Sequence, residues 1–513
     1  MNQNAQKKRG VFVQLIASYT NTAFAVISGL FFVPLYFRYI DINTYGSWLA
    51  SGNVLNMLSI IEGGVAIVFS QKVAAFYGAG KGKEFAVSTA SGISISFSIA
   101  FLIMIAALSL SPWVPYWVKA DAANISGIKW AFLFAGSGSA LAIINSAIVV
   151  IPRAWHKNEF TSITALVASL MGLLAIFCSL TFFNAGIVSL GIGSFTRSLI
   201  NLVGNSFYTI GKWKHHCSFK PAFQFNDLKQ LLVTTLPVFG SNFLGALLNN
   251  SKELLLAILV NPASVSILSI TARLFGLIVM VINPLSSSLF SALSSLSLNK
   301  EKLFYWIPKL FRTYNFASGI MFGMAISVNA WFISFWVGAD KFGGIELSIL
   351  LGISAWLTTK CNMNIMLLNV QSIFKPTSFI SVVDISIRIF FIGLLVLSGI
   401  QFKIIYLPLI ECFSILFSVL YLEYNLSKSL NDNSSFKNNA FHFFYSLIQY
   451  VIIAVLVYWV ANYGLIKVSY LNSLYQLVLA SCVSLIGFGL FIALYPKNRA
   501  MVQETWELIR KRS

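Results

Sequence analysis

Nine ionisable residues lie inside long apolar runs: Glu62, Arg197, Lys252, Glu253, Arg273, Lys360, Asp384, Arg388 and Glu411. A charge held among hydrocarbon side chains is costly, and it persists where it pairs, faces a wet cavity or meets a charged cargo. Five of the nine are cations and four are anions. That balance suits an anionic group, such as a phosphate, that must leave water on its way across a barrier. Arg197 and Lys360 stand near mid-run with no opposite charge within a helical turn. Arg273 sits about seven residues into its run, where reaching back to water is strained. These three are expected to contact the cargo, with Lys252 and Arg388 as further cavity cations. Lys252, beside Glu253, has snorkelling to the end of its run as its alternative. Asp384 and Arg388, four apart on one helix, have mutual neutralisation as theirs. Glu62, Glu411 and Asp384 are the acids able to couple a cycle to an ion, since a carboxyl group takes up a proton or holds Na⁺. Pairing with a cation on another helix is the equal alternative for Glu62.

No enzyme signature accompanies these charges. Gly78-Ala79-Gly80-Lys81-Gly82-Lys83-Glu84 imitates a phosphate loop, but the glycine spacing and the missing Ser or Thr after the lysine spoil it. His156, His215, His216 and His442 all fall in polar breaks and make no zinc motif. The five cysteines form no C-x-x-C pair and no disulfide framework. No catalytic residue, metal site or cofactor is therefore expected beyond a coupling H⁺ or Na⁺.

The elements that carry the charges follow from composition. The 513 residues are 57% hydrophobic and 10% charged, with a mean hydropathy of +0.79. Soluble domains carry about a quarter charged residues, so a water-solvated surface of ordinary size is excluded. Apolar stretches of about 20 residues, enough to cross a bilayer as helix, recur along the whole chain. They fall at 12–37, 47–70, 87–110, 129–151, 161–183 and 186–210. A second set lies at 231–257, 266–290, 307–330, 347–370, 378–400 and 403–424, and a final pair at 443–466 and 472–495. The basic N-terminus resembles a signal peptide, but its apolar run is too long for one and reads as a retained first span.

The net charge of +19 invites a nucleic-acid reading, yet no basic stripe exists. The cations occupy alternate breaks, 24 on one side of the spans against 6 on the other. This is the positive-inside pattern, and it places both termini in the cytoplasm. Trp117-Val118-Lys119-Ala120-Asp121 returns as Trp336-Val337-Gly338-Ala339-Asp340, and the flanking breaks recur at a similar offset. The expected fold is an all-α polytopic membrane protein of about 14 transmembrane helices. It comprises two parallel six-helix repeats, related by a pseudo-twofold axis along the membrane normal, plus a C-terminal helix pair. The expected divisions are a bundle over 1–210, a linker at 211–230, a bundle over 231–424, a linker at 425–442, the added pair at 443–495 and a basic tail at 496–513.

The run from Ser28 through Pro34-Leu35-Tyr36-Phe37-Arg38-Tyr39 to Tyr45-Gly46-Ser47-Trp48, followed by Glu62-Gly63-Gly64, resembles the start of bacterial polysaccharide-unit flippases. The Gly- and Lys-bearing polar break before the third span is similar too. These proteins share a superfamily with multidrug extruders and the lipid II flippase. The resemblance implies two six-helix bundles around a central cavity. It also implies transfer of a polyprenyl-pyrophosphate-linked oligosaccharide from the inner to the outer leaflet of the bacterial inner membrane by alternating access. Membrane lipids, a polysaccharide polymerase and a chain-length regulator are the implied partners. The extra final pair resembles the helices that accommodate the lipid tail in the lipid II flippase. A cation-coupled multidrug antiporter is the alternative from the same superfamily, and a membrane glycan polymerase or ligase is the more distant one.

Overall fold

The computed structural model describes residues 20–494 apart from 21–22, 25, 156, 226, 228, 230–232, 234–249, 297–299, 372, 374, 430–432 and 467–471. Side chains at 58–67, 284–306, 308–312, 433–442, 444 and 464–466 also lie outside the described residues. The expected basic tail at 496–513 and the start of the first span fall outside them as well.

Every described element is helical. The order begins with α1 (Val26–Tyr39). It continues through α2 (Ile42–Gly78), α3 (Gly82–Leu110), the short α4 (Val114–Trp117), α5 (Ile125–Ala154), α6 (Asn158–Thr181) and α7 (Val188–His216). A helix over 250–259 follows as α8. Then come α9 (Pro262–Leu296), α10 (Lys300–Trp336), α11 (Ile345–Val370), α12 (Lys375–Leu397), α13 (Tyr406–Ser429), α14 (Asn433–Ile466) and α15 (Ser473–Leu494). Each expected span falls on one of these helices where it is described; most of the span expected at 231–257 lies outside the described residues. Among the described residues nine helices are long and apolar enough to cross a membrane, with α1 as a shorter apolar helix. The protein is a multi-pass, all-α membrane protein.

Helices run past the expected spans wherever polar sequence lacks a stop signal. Of the stretch 425–442, expected as a linker, residues 425–429 end α13 and residues 433–442 begin α14. Lys300-Glu301-Lys302 opens α10 rather than breaking the chain. Hydropathy marks where the bilayer ends, whereas a helix ends only where its hydrogen bonds are interrupted.

The chain folds as two compact units, Met1–Ser266 and Ile267–Ser513. The division falls later than the expected linker at 211–230, because α8 and the first turn of α9 pack with the first unit. Asn53 Nδ2 on α2 donates to Glu253 Oε2 on α8 at 2.9 Å. Ser266 Oγ donates to the Ile42 carbonyl at 2.7 Å. Asp41 and Asn261, which occupy equivalent places in the two repeats, both cap the helices that follow them. Asp41 accepts from the Thr44 amide at 2.9 Å, and Asn261 accepts from the Ser264 amide at 2.8 Å.

Within the first unit, small residues bring backbones together, the usual means of packing helices in lipid. A Cβ added at Gly191 of α7 would stand 2.4 Å from the Ala131 carbonyl oxygen of α5, and one at Gly138 would stand 3.1 Å from Phe195 Cα. An apolar core of Phe69, Phe85, Ile99, Ile103, Ile143, Ile151 and Trp155 joins α2, α3 and α5. In the second unit Asn329 Nδ2 on α10 donates to the Thr271 carbonyl of α9 and to Ser348 Oγ of α11, each at 3.0 Å. The added pair docks on α10: Ser327 and Ser484 hydroxyls share a 2.8 Å hydrogen bond, and Gly319 and Gly323 admit the rings of Tyr450 and Phe488.

The duplicated Trp-Val-x-Ala-Asp motif marks a duplicated turn. Its variable residue has positive φ in both copies, 49° at Lys119 and 107° at Gly338, and a 3₁₀ turn follows each.

Candidate functional site

The structure sorts the intramembrane charges into paired and unpaired. Lys360 on α11 is fully buried, and its Nζ stands 3.6 Å from Glu423 Oε1 on α13. The expectation that Lys360 meets cargo rested on the lack of an acid on its own helix, and the partner comes from another. Glu423 lies next to the end of its expected span and was left out of the intramembrane set.

Arg388, 7% exposed, is the centre of a second closed group. Its Nη2 is 2.9 Å from Asp384 Oδ2 and its Nη1 is 3.5 Å from Glu411 Oε1. The Ser414 hydroxyl donates to the Asp384 carboxylate. Asp384 and Glu411, read as coupling acids, and Arg388, read as a cargo cation, therefore sit together on α12 and α13. Lys252 is half-buried on α8 beside Glu253, which accepts from Asn53. Glu62 lies on α2, but its side chain is outside the described residues.

Two of the expected cargo cations are not closed in this way. Arg273 on α9 is half-buried, and its Nε is buried without a hydrogen-bond acceptor among the described residues. Arg197 on α7 is exposed, with its Cβ close against Gly172 of α6, and it makes no ion pair with the described residues.

Arg197 begins a polar stripe. Asn201 and Asn205 follow at intervals of four, on one side of α7. Asn205, fully buried, donates through Nδ2 to Asn145 Oδ1 on α5 at 2.9 Å and to Asn201 Oδ1 at 3.2 Å. Asn145 and Asn201 then line a cavity of about 430 Å³ among α2, α5, α6 and α7, with Ser70, Ser146, Thr161 and Arg153. None of these asparagines was singled out in the sequence analysis; the four-residue spacing of Arg197, Asn201 and Asn205 on α7 is the signal that could have found two of them.

The described residues thus form apolar helices that bear a few sheltered charges and amide networks. A family model described as polysaccharide biosynthesis protein matches residues 83–339, half of the chain. The protein belongs to this family. No curated protein matches it by sequence. Among solved structures it is similar to the lipid II flippase MurJ in an inward closed conformation. That match has 15% identity and a TM-score of 0.67, and covers 93% of this chain and 99% of that one. An inward-facing multidrug resistance MATE family transporter of the MOP superfamily matches at 12% identity and a TM-score of 0.64, over 82% of this chain and 99% of that one. The Vibrio cholerae MATE transporter VcmN in its bent form matches at 14% identity and a TM-score of 0.55, over 83% of this chain and 97% of that one. At these identities the likeness shows a shared fold.

Proposed function

We propose that the protein is a flippase that moves a polyprenyl-pyrophosphate-linked oligosaccharide, the repeat unit of O-antigen or another surface polysaccharide, between the leaflets of a bacterial inner membrane. Movement runs from the cytoplasmic to the periplasmic face by alternating access, and both termini are cytoplasmic. The observation that carries this reading is Arg273, whose guanidinium Nε is buried without an acceptor among the described residues in a chain of the polysaccharide biosynthesis family. A buried donor left open is costly, and an anionic head passing through supplies the acceptor it lacks. Arg197 is the second cation assigned to the cargo.

The inside-negative membrane potential favours this direction. It contributes about 2.3 kcal/mol per charge per 100 mV and drives an anionic pyrophosphate outward without ATP. Coupling to H⁺ or Na⁺ is assigned to Glu62, or to Asp384 and Glu411, where two acids share one arginine. A polymerase and a chain-length regulator act next on the delivered unit.

The same acid-rich group on α12 and α13 favours a second reading, a cation-coupled multidrug antiporter. Deleting the gene and restoring it as wild type, Arg273→Ala or Arg197→Ala separates the two. The flippase reading expects surface glycan to be lost in the deletion and in Arg273→Ala, with lipid-linked units accumulating at the inner leaflet. Normal glycan with increased drug sensitivity would establish the antiporter instead.

A further inference from the structure

We infer that residues 217–225, the segment that follows α7, form a membrane-surface strap that binds the headgroups of anionic lipids. Residues 217–224 belong to no helix. In Phe219-Lys220-Pro221-Ala222-Phe223-Gln224-Phe225 every second residue is apolar, the spacing that gives a non-helical segment one apolar edge. The rings of Phe219, Phe223 and Phe225 are 50%, 57% and 68% exposed, so the chain itself does not cover them. Polar contacts hold the segment instead. Trp213 Nε1 on α7 donates to the Phe219 carbonyl at 2.9 Å, and Cys217 Sγ lies 3.5 Å from the carbonyl oxygen of Gly82, the first residue of α3. Just beyond the segment, Asp227 pairs with Lys72 of α2 at 2.5 Å. The strap is thereby pinned near the ends of α3 and α2 with its rings left outside.

Depth and charge name the occupant. α3 is long and apolar enough to cross a membrane. Its 29 residues, at a helix rise of about 1.5 Å each, match the roughly 40–45 Å of a bilayer with its headgroup layers. Gly82 and the strap against it therefore lie at headgroup level. Lys212 and Lys214 near the end of α7, Lys220 within the strap and Lys229 past it are all exposed and make no ion pair with the described residues. The one carboxylate between Lys212 and Lys229 is Asp227, already held by Lys72. Water would leave the three rings uncovered, and hydrocarbon would strip the lysines of their hydration. The interface between the two serves both, with lipid phosphates against the ammonium groups and the rings at the acyl boundary. This role holds whether or not the protein is a flippase, a reading tested separately by surface glycan in the deletion strain.

The test places the full-length protein, one copy per disc, in nanodiscs of phosphatidylcholine alone or of phosphatidylcholine with phosphatidylglycerol. Hydrogen exchange of the backbone amides in 217–225 is read at times of seconds. Exchange is expected to be slower in the anionic discs by about fivefold or more, the effect of a single lysine at a charged surface, and to speed up again in high salt. The variant Lys212→Gln/Lys214→Gln/Lys220→Gln is expected to lose the difference between the two lipids. Phe223→Ser/Phe225→Ser is expected to reduce the protection while keeping the lysines. Equal exchange of wild type in the two discs would overturn the inference, since water or another part of this chain would then cover the rings. Protection that the triple lysine variant retains would overturn it too, as would protection that appears only with two copies per disc, which would give the surface to a second copy. Unchanged thermal unfolding of both variants confirms that they are folded.

Discussion

Lys360 Nζ stands 3.6 Å from Glu423 Oε1, with the two side chains 1% and 2% exposed, and 5.0 Å from the centre of the Phe443 ring. Three helices, α11, α13 and α14, therefore meet at one buried charge. Removing one member of such a pair strands the other in the interior and costs about 3–5 kcal/mol, whereas replacing both by apolar groups is often close to neutral. Lys360→Met is accordingly expected to lower the thermal midpoint and the abundance of the protein in the membrane. The double variant Lys360→Met/Glu423→Leu is expected to recover both, together with surface glycan. A double variant that is stable but inactive would return Lys360 to the cargo path.

Gly46, near the start of α2, lies against the start of α9. A Cβ built there would stand 1.8 Å from the Pro262 carbonyl oxygen and 3.0 Å from Ser266 Oγ. The collision is with backbone, so a side-chain rotation cannot relieve it. Gly46→Val is expected to separate the two helix ends, break the bond from Ser266 to the Ile42 carbonyl, and destabilise by about 1–3 kcal/mol, the usual cost of overpacking. Thermal unfolding in detergent measures it, and a midpoint equal to wild type would contradict the close contact.

The two sites differ in how far the sequence disclosed them. Hydropathy located the helices because the bilayer dictates their length, and the recurrence of Trp-Val-x-Ala-Asp exposed a repeated turn. Which charges stay open was not legible. Lys360 looked isolated because its acid arrives from a helix about sixty residues away in sequence, and no one-dimensional spacing encodes that contact. Asp384 and Arg388 were legible as a pair because both lie on one helix face, four residues apart. Asn205 sits between these cases. Its stripe with Arg197 and Asn201 is visible on α7, but its bond to Asn145 of α5 needs the packed structure.

The repeated turn makes a prediction of opposite sign at its two variable positions. Lys119 holds φ at 49° although it carries a Cβ, and Gly338 holds φ at 107° without one. Lys119→Gly removes the left-handed penalty and is expected to stabilise by up to about 1 kcal/mol. Gly338→Ala brings strain, and its Cβ would come within 2.6 Å of Asp340 Oδ1. A loss of about 1–2 kcal/mol is expected there. Paired thermal-unfolding measurements check the signs, and a destabilised Lys119→Gly would show that the lysine side chain matters more than its backbone.

The end of α7 introduces a pH dependence. His216 stacks on Trp155, ring centres 4.5 Å apart and 13° from parallel, and its Nδ1 lies 3.1 Å from the Tyr77 hydroxyl. Burial, reinforced by the positive charges of Lys157, His215 and Lys212, holds this imidazole below its ordinary value of 6.5. The unfolded chain therefore takes up a proton at His216 before the folded one does. Stability from this residue is complete above 6.5 and is lost as pH falls from there through the lower folded value. His216→Phe keeps a ring on Trp155 and cannot titrate. The thermal midpoint of wild type is expected to fall between pH 7 and 5 more steeply than that of His216→Phe, and identical slopes would place the titration elsewhere.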